Sequence, residues 1–410
     1  MHKFISVLMA CLMLFTVITV SAEDTVYIDS AEDLRAFSAR VAAGDRMTGV
    51  SVVLRADIAL EGDFTPIGTD TSTPFSGSFD GGGHTVSGLT VQGEAYLGLF
   101  GCITDGSVKN LNIENATVIG GDYCGLLVGR LYAYKGDGAV ENCQVSGSVT
   151  GGSYVGGLAG MVCAAAYDYS ADAWVKESGA QATVNGDLYV GGIAGCAEAR
   201  GNSKTATVLI KDCVSKGFVQ AKGNFGTMAG GICGALSAKD NGGNAVAELD
   251  SCISYAMAVA EKLAAGGICG TAGAVGEYSI AAAANSVSYG YVSGGAKVGG
   301  FCGKAETSGG TVGFENCVSA GCVAGTDIHA VGFGAEGCNR VIMAEWFDLS
   351  GYAVGDANFD GEVDSLDAAT ALKIDAELAL EGVNCDFNGD GTVNSLDAAQ
   401  ILKYDAGLIE

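Results

Sequence analysis

Apolar positions in this chain recur in blocks, without the 3.6-residue rhythm of helices. From about residue 96 to 334, short stretches of small and β-branched residues alternate with polar ones and are broken by Gly and Asn. One motif returns throughout: an aromatic or small residue, then Val/Ala-Gly-Gly-apolar-x-Gly. It reads Tyr96-Leu-Gly-Leu-Phe-Gly101, Tyr123-Cys-Gly-Leu-Leu-Val-Gly129, Tyr154-Val-Gly-Gly-Leu-Ala-Gly160 and Tyr189-Val-Gly-Gly-Ile-Ala-Gly195. Later copies are Ala229-Gly-Gly-Ile-Cys-Gly234, Ala265-Gly-Gly-Ile-Cys-Gly270 and Val298-Gly-Gly-Phe-Cys-Gly303. The closing glycines are 28, 31, 35, 39, 36 and 33 residues apart. Between them falls a second motif, at Asn110-Leu111, Asn142-Cys143, Asp212-Cys213, Ser251-Cys252, Asn285-Ser286 and Asn316-Cys317. Alternation bounded by turn residues predicts short strands. A unit this short cannot bury its own apolar face, so units must stack. The expected fold is mainly β: a right-handed parallel β-helix, one coil per unit, with coils about 4.8 Å apart. Positions 110, 142, 212, 251, 285 and 316 then form a turn ladder in which short polar side chains bond neighbouring backbone.

Helical patterning is confined to the two ends. Ser30 and Asp33 form a capping box, Leu34, Phe37 and Val41 make a stripe, and Gly44 follows. A helix there, within an N-terminal cap over residues 23–62, shields the edge of the first coil from strand addition. Residues 63–354 are assigned to the solenoid, with Trp346 and Phe347 covering its far end. The last segment, 355–410, carries one twelve-residue loop twice. Asp356-Ala-Asn358-Phe-Asp360-Gly361-Glu362-Val363-Asp364-Ser365-Leu366-Asp367 returns 30 residues later as Asp386-Phe-Asn388-Gly-Asp390-Gly391-Thr392-Val393-Asn394-Ser395-Leu396-Asp397. Oxygen donors at loop positions 1, 3, 5, 9 and 12, with Gly at position 6 for the sharp turn, suit a hard cation with six to eight oxygen ligands. The expected calcium ligands are Asp356, Asn358, Asp360, Glu362, Asp364 and Asp367 in one loop. Asp386, Asn388, Asp390, Thr392, Asn394 and Asp397 serve in the other, giving two Ca²⁺ ions. Each loop runs into a helix, and residues 365–378 and 395–408 are identical at 10 of 14 positions.

This double loop, with Asp in place of the EF-hand Glu at position 12, resembles the dockerin module of secreted proteins. The resemblance covers residues 355–410. It implies a cohesin domain on a scaffold protein as partner, contacted by Ser365, Leu366, Leu372 and Lys373 and by Ser395, Leu396, Leu402 and Lys403. The central unit resembles the GLUG repeat of bacterial surface proteins, including stretches of IgA-specific metallopeptidases. Those peptidases depend on an HExxH zinc helix, which this sequence lacks, so only the solenoid is implied.

Composition narrows the function further. The formal net charge of the chain is −26, with 47 acidic against 21 basic residues, which disfavours nucleic acid and anionic lipid as partners. Lys3, an apolar run over residues 4–20 and Val20-Ser-Ala22 read as a secretory signal over residues 1–22. No second long apolar run follows, so the mature chain is expected to be exported, extracellular or at a cell surface, without a membrane span. An exported chain with 15 Cys would ordinarily suggest disulfides. Here Cys143, Cys213, Cys252 and Cys317 share one repeat position, and Cys233, Cys269 and Cys302 another. Stacked, parallel side-chain vectors fit a disulfide poorly, so buried free thiols are expected.

Chemistry is sparser. Glu141, Asp250 and Glu315 share a repeat position two before the Cys, where an acidic row on one face could serve a lyase or glycosidase. Lys211 at the same position in another coil favours plain solvated turn residues. No nucleophile triad, phosphate loop or dinucleotide fingerprint is present. The expected function is calcium-dependent cohesin binding, with the solenoid as a structural or ligand-binding arm for a polysaccharide or host glycan. Its rivals are a polysaccharide lyase or glycoside hydrolase, and an adhesin.

Overall fold

The computed structural model describes residues 25–224, 226–321, 323–324, 329–331, 341–343, 363, 365, 368 and 395–406. Within them the chain winds as a parallel β-helix: every pairing between strands is parallel. One face is a ten-stranded sheet running from Thr25–Ile28 to Thr311–Glu315, and 26 further strands wrap the other faces.

A single coil shows how the sequence produces this. Ala206–Lys211 lies on the first face with Ala206, Val208 and Ile210 buried and Thr207, Leu209 and Lys211 turned outward, the two-residue period of a strand. At Asp212 the backbone turns left-handed (φ 52°), and Val214–Ala221 forms the second face. Met228–Gly230 leads through the double glycine to Cys233–Asp240 on the third, and residues 241–244 loop back to Ala245–Asp250. The next coil lands in register, with Ala206 opposite Ala245, Val208 opposite Ala247 and Ile210 opposite Leu249. The interior is therefore a set of columns of like side chains.

The turn ladder exists, and its members share one conformation. Asn110, Asn142, Asp212, Ser251, Asn285 and Asn316 all have φ between 50° and 54°, the left-handed region that Asn and Asp tolerate best among non-glycine residues. The bonding differs from expectation, because it runs from side chain to side chain up the axis. Asn110 Nδ2 donates to Asp80 Oδ1 (3.0 Å), Asn142 Nδ2 to Asn110 Oδ1 (2.9 Å), and Asn316 Nδ2 to Asn285 Oδ1 (3.2 Å). Coil spacing brings successive amides within reach of one another before any more distant backbone. A seventh member, Glu177 (φ 50°), carries no turn-residue signal, since its coil has Glu-Ser where others have Asn-Cys.

The N-terminal helix forms as its capping box predicts. It spans Ala31–Ala42, Ser30 is the N-cap and Asp33 N–H donates to Ser30 Oγ (3.2 Å). The helix buries Leu34, Phe37 and Val41 over the first coils. Phe37 meets Phe75 edge-on (6.1 Å) and tilts against Phe79 (6.4 Å), and both of these reach Phe100. The solenoid thus begins on an aromatic plug. Residues 344–354, including Trp346 and Phe347, lie outside the described residues.

Candidate functional site

The helix Ser395–Asp405 begins within the last three positions of the second calcium-type loop. Ala398 and Ile401 on it are fully buried, whereas Ser395 and Lys403 are exposed and Leu402 is 44% exposed. Leu402 is thus turned away from the side on which Ala398 and Ile401 pack. In the first copy, Ser365 is exposed and Ala368 is buried, which matches Ser395 and Ala398. Ser365 and Ser395 are thus both turned outward, and Ala368 and Ala398 both inward. Leu366, Leu372 and Lys373 lie outside the described residues, as do the loop positions 356, 358, 360, 362, 364, 367, 386, 388, 390, 392 and 394 and the side chains of Leu396 and Asp397. The donor set itself, all carboxylate, amide and hydroxyl oxygen, fits a calcium ion.

On the solenoid, Glu141, Asp250 and Glu315 do share one ladder, but the coils between them separate the three. Registers run Asp80, Lys109, Glu141, Lys176, Lys211, Asp250, Ala284, Glu315. The row is a stripe of mixed charge, in which Lys176, Lys211 and Ala284 interrupt the three acids. Lys211 Nζ binds Asp250 directly, and Asn285 adds a second bond. Both hold the Asp250 carboxyl below the ordinary aspartate range, Lys211 contributing most. Glu141 accepts a hydrogen bond from the indole Nε1 of Trp174 (2.6 Å).

Among the described residues all eleven cysteines are buried and free. Those after the turn residue donate to the carbonyl two residues back, Cys143 to Glu141 (3.3 Å), Cys213 to Lys211 (3.2 Å) and Cys317 to Glu315 (3.4 Å). Ser178 and Ser286 make the same bond in their coils, to Lys176 (2.7 Å) and Ala284 (2.8 Å). Cysteine is therefore a small donor at this position. Burial pushes the thiols of Cys143 and Cys233 up to about 12, which keeps them protonated and unreactive.

Two further features stand out on the solenoid, the first at a position the glycine motif already marks. Tyr96, Tyr123 and Tyr154 start the glycine motif in left-handed backbone (φ 58–62°), and their rings stack at 4.9 and 4.8 Å. Tyr123 and Tyr154, with Tyr132 and Tyr189, cover Met161, Cys163, Cys196 and Ala235, a small apolar cluster outside the main core. Beside it sits Glu198, its side chain only 4% exposed, bound by Arg200 and by Lys239 (2.6 Å). Burial acts to raise the Glu198 carboxyl, but the bonds from Arg200 and Lys239 outweigh it and hold the group below its ordinary value. Only the register places Arg200 against Lys239.

These features define a class: a parallel β-solenoid carrying a C-terminal docking module. Residues 354–404 match the family described as the dockerin type I domain. Over 152 residues the chain is 34% identical to Halomucin of Haloquadratum walsbyi, a match covering 35% of this chain. The chain spans 2% of that relative's length. A solved structure from Bacteroides ovatus, described as an immunoglobulin A1 protease, is 20% identical with a TM-score of 0.48. That match covers 78% of this chain and 84% of that one.

Proposed function

We propose that this chain is a secreted component of a cell-surface or cellulosome-like assembly. Its dockerin domain binds a cohesin domain in the presence of two calcium ions, and its solenoid is the arm so displayed. The observation that carries this reading is the exposed Leu402 on a helix whose Ala398 and Ile401 are buried, inside the segment that matches the dockerin family. A solvent-facing aliphatic residue flanked by Lys403 and Ser395 suits the centre of a protein interface with a polar rim. Among the described residues no helix is long and apolar enough to cross a membrane.

The solenoid is read as a binding or structural element. Lysines and an alanine stand between Glu141, Asp250 and Glu315, which supports a structural part for that ladder over the paired carboxylates glycoside cleavage needs. The test is calorimetric titration of the full chain with a panel of purified type I cohesin domains, in calcium and in EDTA. The expected result is saturable binding to at least one cohesin that disappears in EDTA. Failure to bind any of them, or binding indifferent to EDTA, would overturn the reading.

A further inference from the structure

The ten-stranded face carries an open groove of about 390 Å³ that no part of the docking reading uses. Its end wall is Trp174, half-buried and fixed in orientation. The indole N–H is held by Glu141, and Lys176 Nζ lies 4.7 Å from the ring centroid. Ser51, Ser78 and Ser107 succeed one another in register along the groove, then Ala139, then Trp174 itself. Four coil steps separate Ser51 from Trp174, so the groove runs about 19 Å along the axis. Asp105 and Asp137 form one rim. Asp105 is fixed by the backbone N–H groups of Tyr134, Lys135 and Gly136 (2.7–3.1 Å), so the rim is built rather than loose. The same loop presents Tyr134, which meets the exposed Tyr167 edge-on at 5.7 Å.

We infer that this groove binds an extended, neutral glycan lying parallel to the solenoid axis, with one sugar ring against Trp174. An indole offers an apolar face to the C–H side of a pyranose. Hydroxyls repeating at the coil spacing, together with rim carboxylates, offer hydrogen bonds to successive sugar hydroxyls. The rise of the coils is close to the rise of one residue in an extended glycan, so each coil can address one sugar. Asp105, Asp137 and the net charge of −26 disfavour uronate polymers. This inference is independent of cohesin binding, since the groove lies wholly on the solenoid.

The experiment uses the full chain and separates the two readings by running every titration in calcium and in EDTA. Cellohexaose, xylohexaose and mannohexaose are titrated calorimetrically beside a galacturonate hexamer. In a Trp346→Phe background, fluorescence then reports on Trp174 alone. One neutral hexasaccharide should saturate the protein equally in both conditions and change that fluorescence. Trp174→Ala and Ser78→Arg should each weaken binding at least tenfold. Ser78 is exposed, so its variant keeps the fold and decides the matter if Trp174→Ala proves unstable. The proposal is overturned if no neutral hexasaccharide saturates at millimolar concentration, if Ser78→Arg binds as tightly as the parent, or if the galacturonate binds equally well.

Discussion

A Cβ added to Gly231 would lie 2.0 Å from Ser254 Oγ, in the next coil of the solenoid. The same near-collision recurs between Gly192 and Ser215 (1.9 Å), Gly267 and Ser288 (1.9 Å), and Gly300 and Ser319 (2.0 Å). In these four motifs the second glycine is thus a socket for the serine above it. Backbone closes the socket too, since Gly267 O would lie 2.1 Å from the same added Cβ. Gly231→Ala should therefore destabilise by about 1–3 kcal/mol, as forced overpacking does, and Ser254→Gly should not rescue it. Urea unfolding of the single and double variants checks both statements.

Ser254→Ala should act in the opposite direction. The Ser254 hydroxyl is buried and finds no hydrogen-bond partner among the described residues. A buried unsatisfied hydroxyl costs about 1–3 kcal/mol, so its removal should leave the protein as stable or raise its urea midpoint. A fall of 1 kcal/mol or more would mean the hydroxyl is satisfied.

Glu198 sets an acid limit. Its folded pKa lies below the ordinary glutamate value of 4.5, so the stability it contributes is complete above that value and is lost as the pH falls through the folded one. Glu198→Gln should cost about 1–3 kcal/mol at pH 7, because Arg200 and Lys239 lose their carboxylate. The difference from the parent should shrink on acidification below the ordinary glutamate value. Unfolding midpoints measured for both proteins across that range test the sign.

The solenoid thiols should be silent in the folded state. Burial pushes Cys102 up to about 11 and Cys124 to about 12, so a disulfide reagent at pH 8 should label none of the eleven until denaturant is added. Mass spectrometry after alkylation under denaturing, non-reducing conditions should find all eleven as free thiols.

Near-identical dockerin halves should bind cohesin in either of two orientations. Replacing Ser365 and Leu366 together should leave affinity almost intact. Replacing Leu366 and Leu396 together should cost 2 kcal/mol or more, roughly thirtyfold. A single-half variant that abolishes binding would establish one mode only. Chelation should erase the helical circular dichroism of the module and leave the strand signal unchanged, because a 56-residue unit has little core without its metal.

The stacked fold was legible because coil spacing writes itself into the chain as a repeat. Asn110, Asn142, Asn285 and Asn316 announce the turn, and the glycine motif announces the corner. What remained hidden depends on register across coils of unequal length. Lys176 falls between Glu141 and Asp250 on the ladder because one coil has Glu177-Ser178 in place of Asn-Cys. Lys211 already interrupts the row in the sequence, and Lys176 and Ala284 add to the break. Aligning Val175-Lys176-Glu177-Ser178 with Ile210-Lys211-Asp212-Cys213 would have shown the stripe. Trp174 against Glu141 and Arg200 beside Lys239 are contacts between residues more than 30 apart, and no local pattern encodes them.

The glycine sockets also bear on how such a chain can change its length. Each step of the stack obeys the same local rule, so excising one complete unit, from one left-handed turn residue to the next, leaves a junction between surfaces that already fit. Removing a few residues from within a strand shifts every column out of phase and drives side chains into the sockets. Recombination between repeats can therefore shorten or extend the arm in whole coils. The reach of the molecule is a heritable integer, adjustable without redesigning any contact.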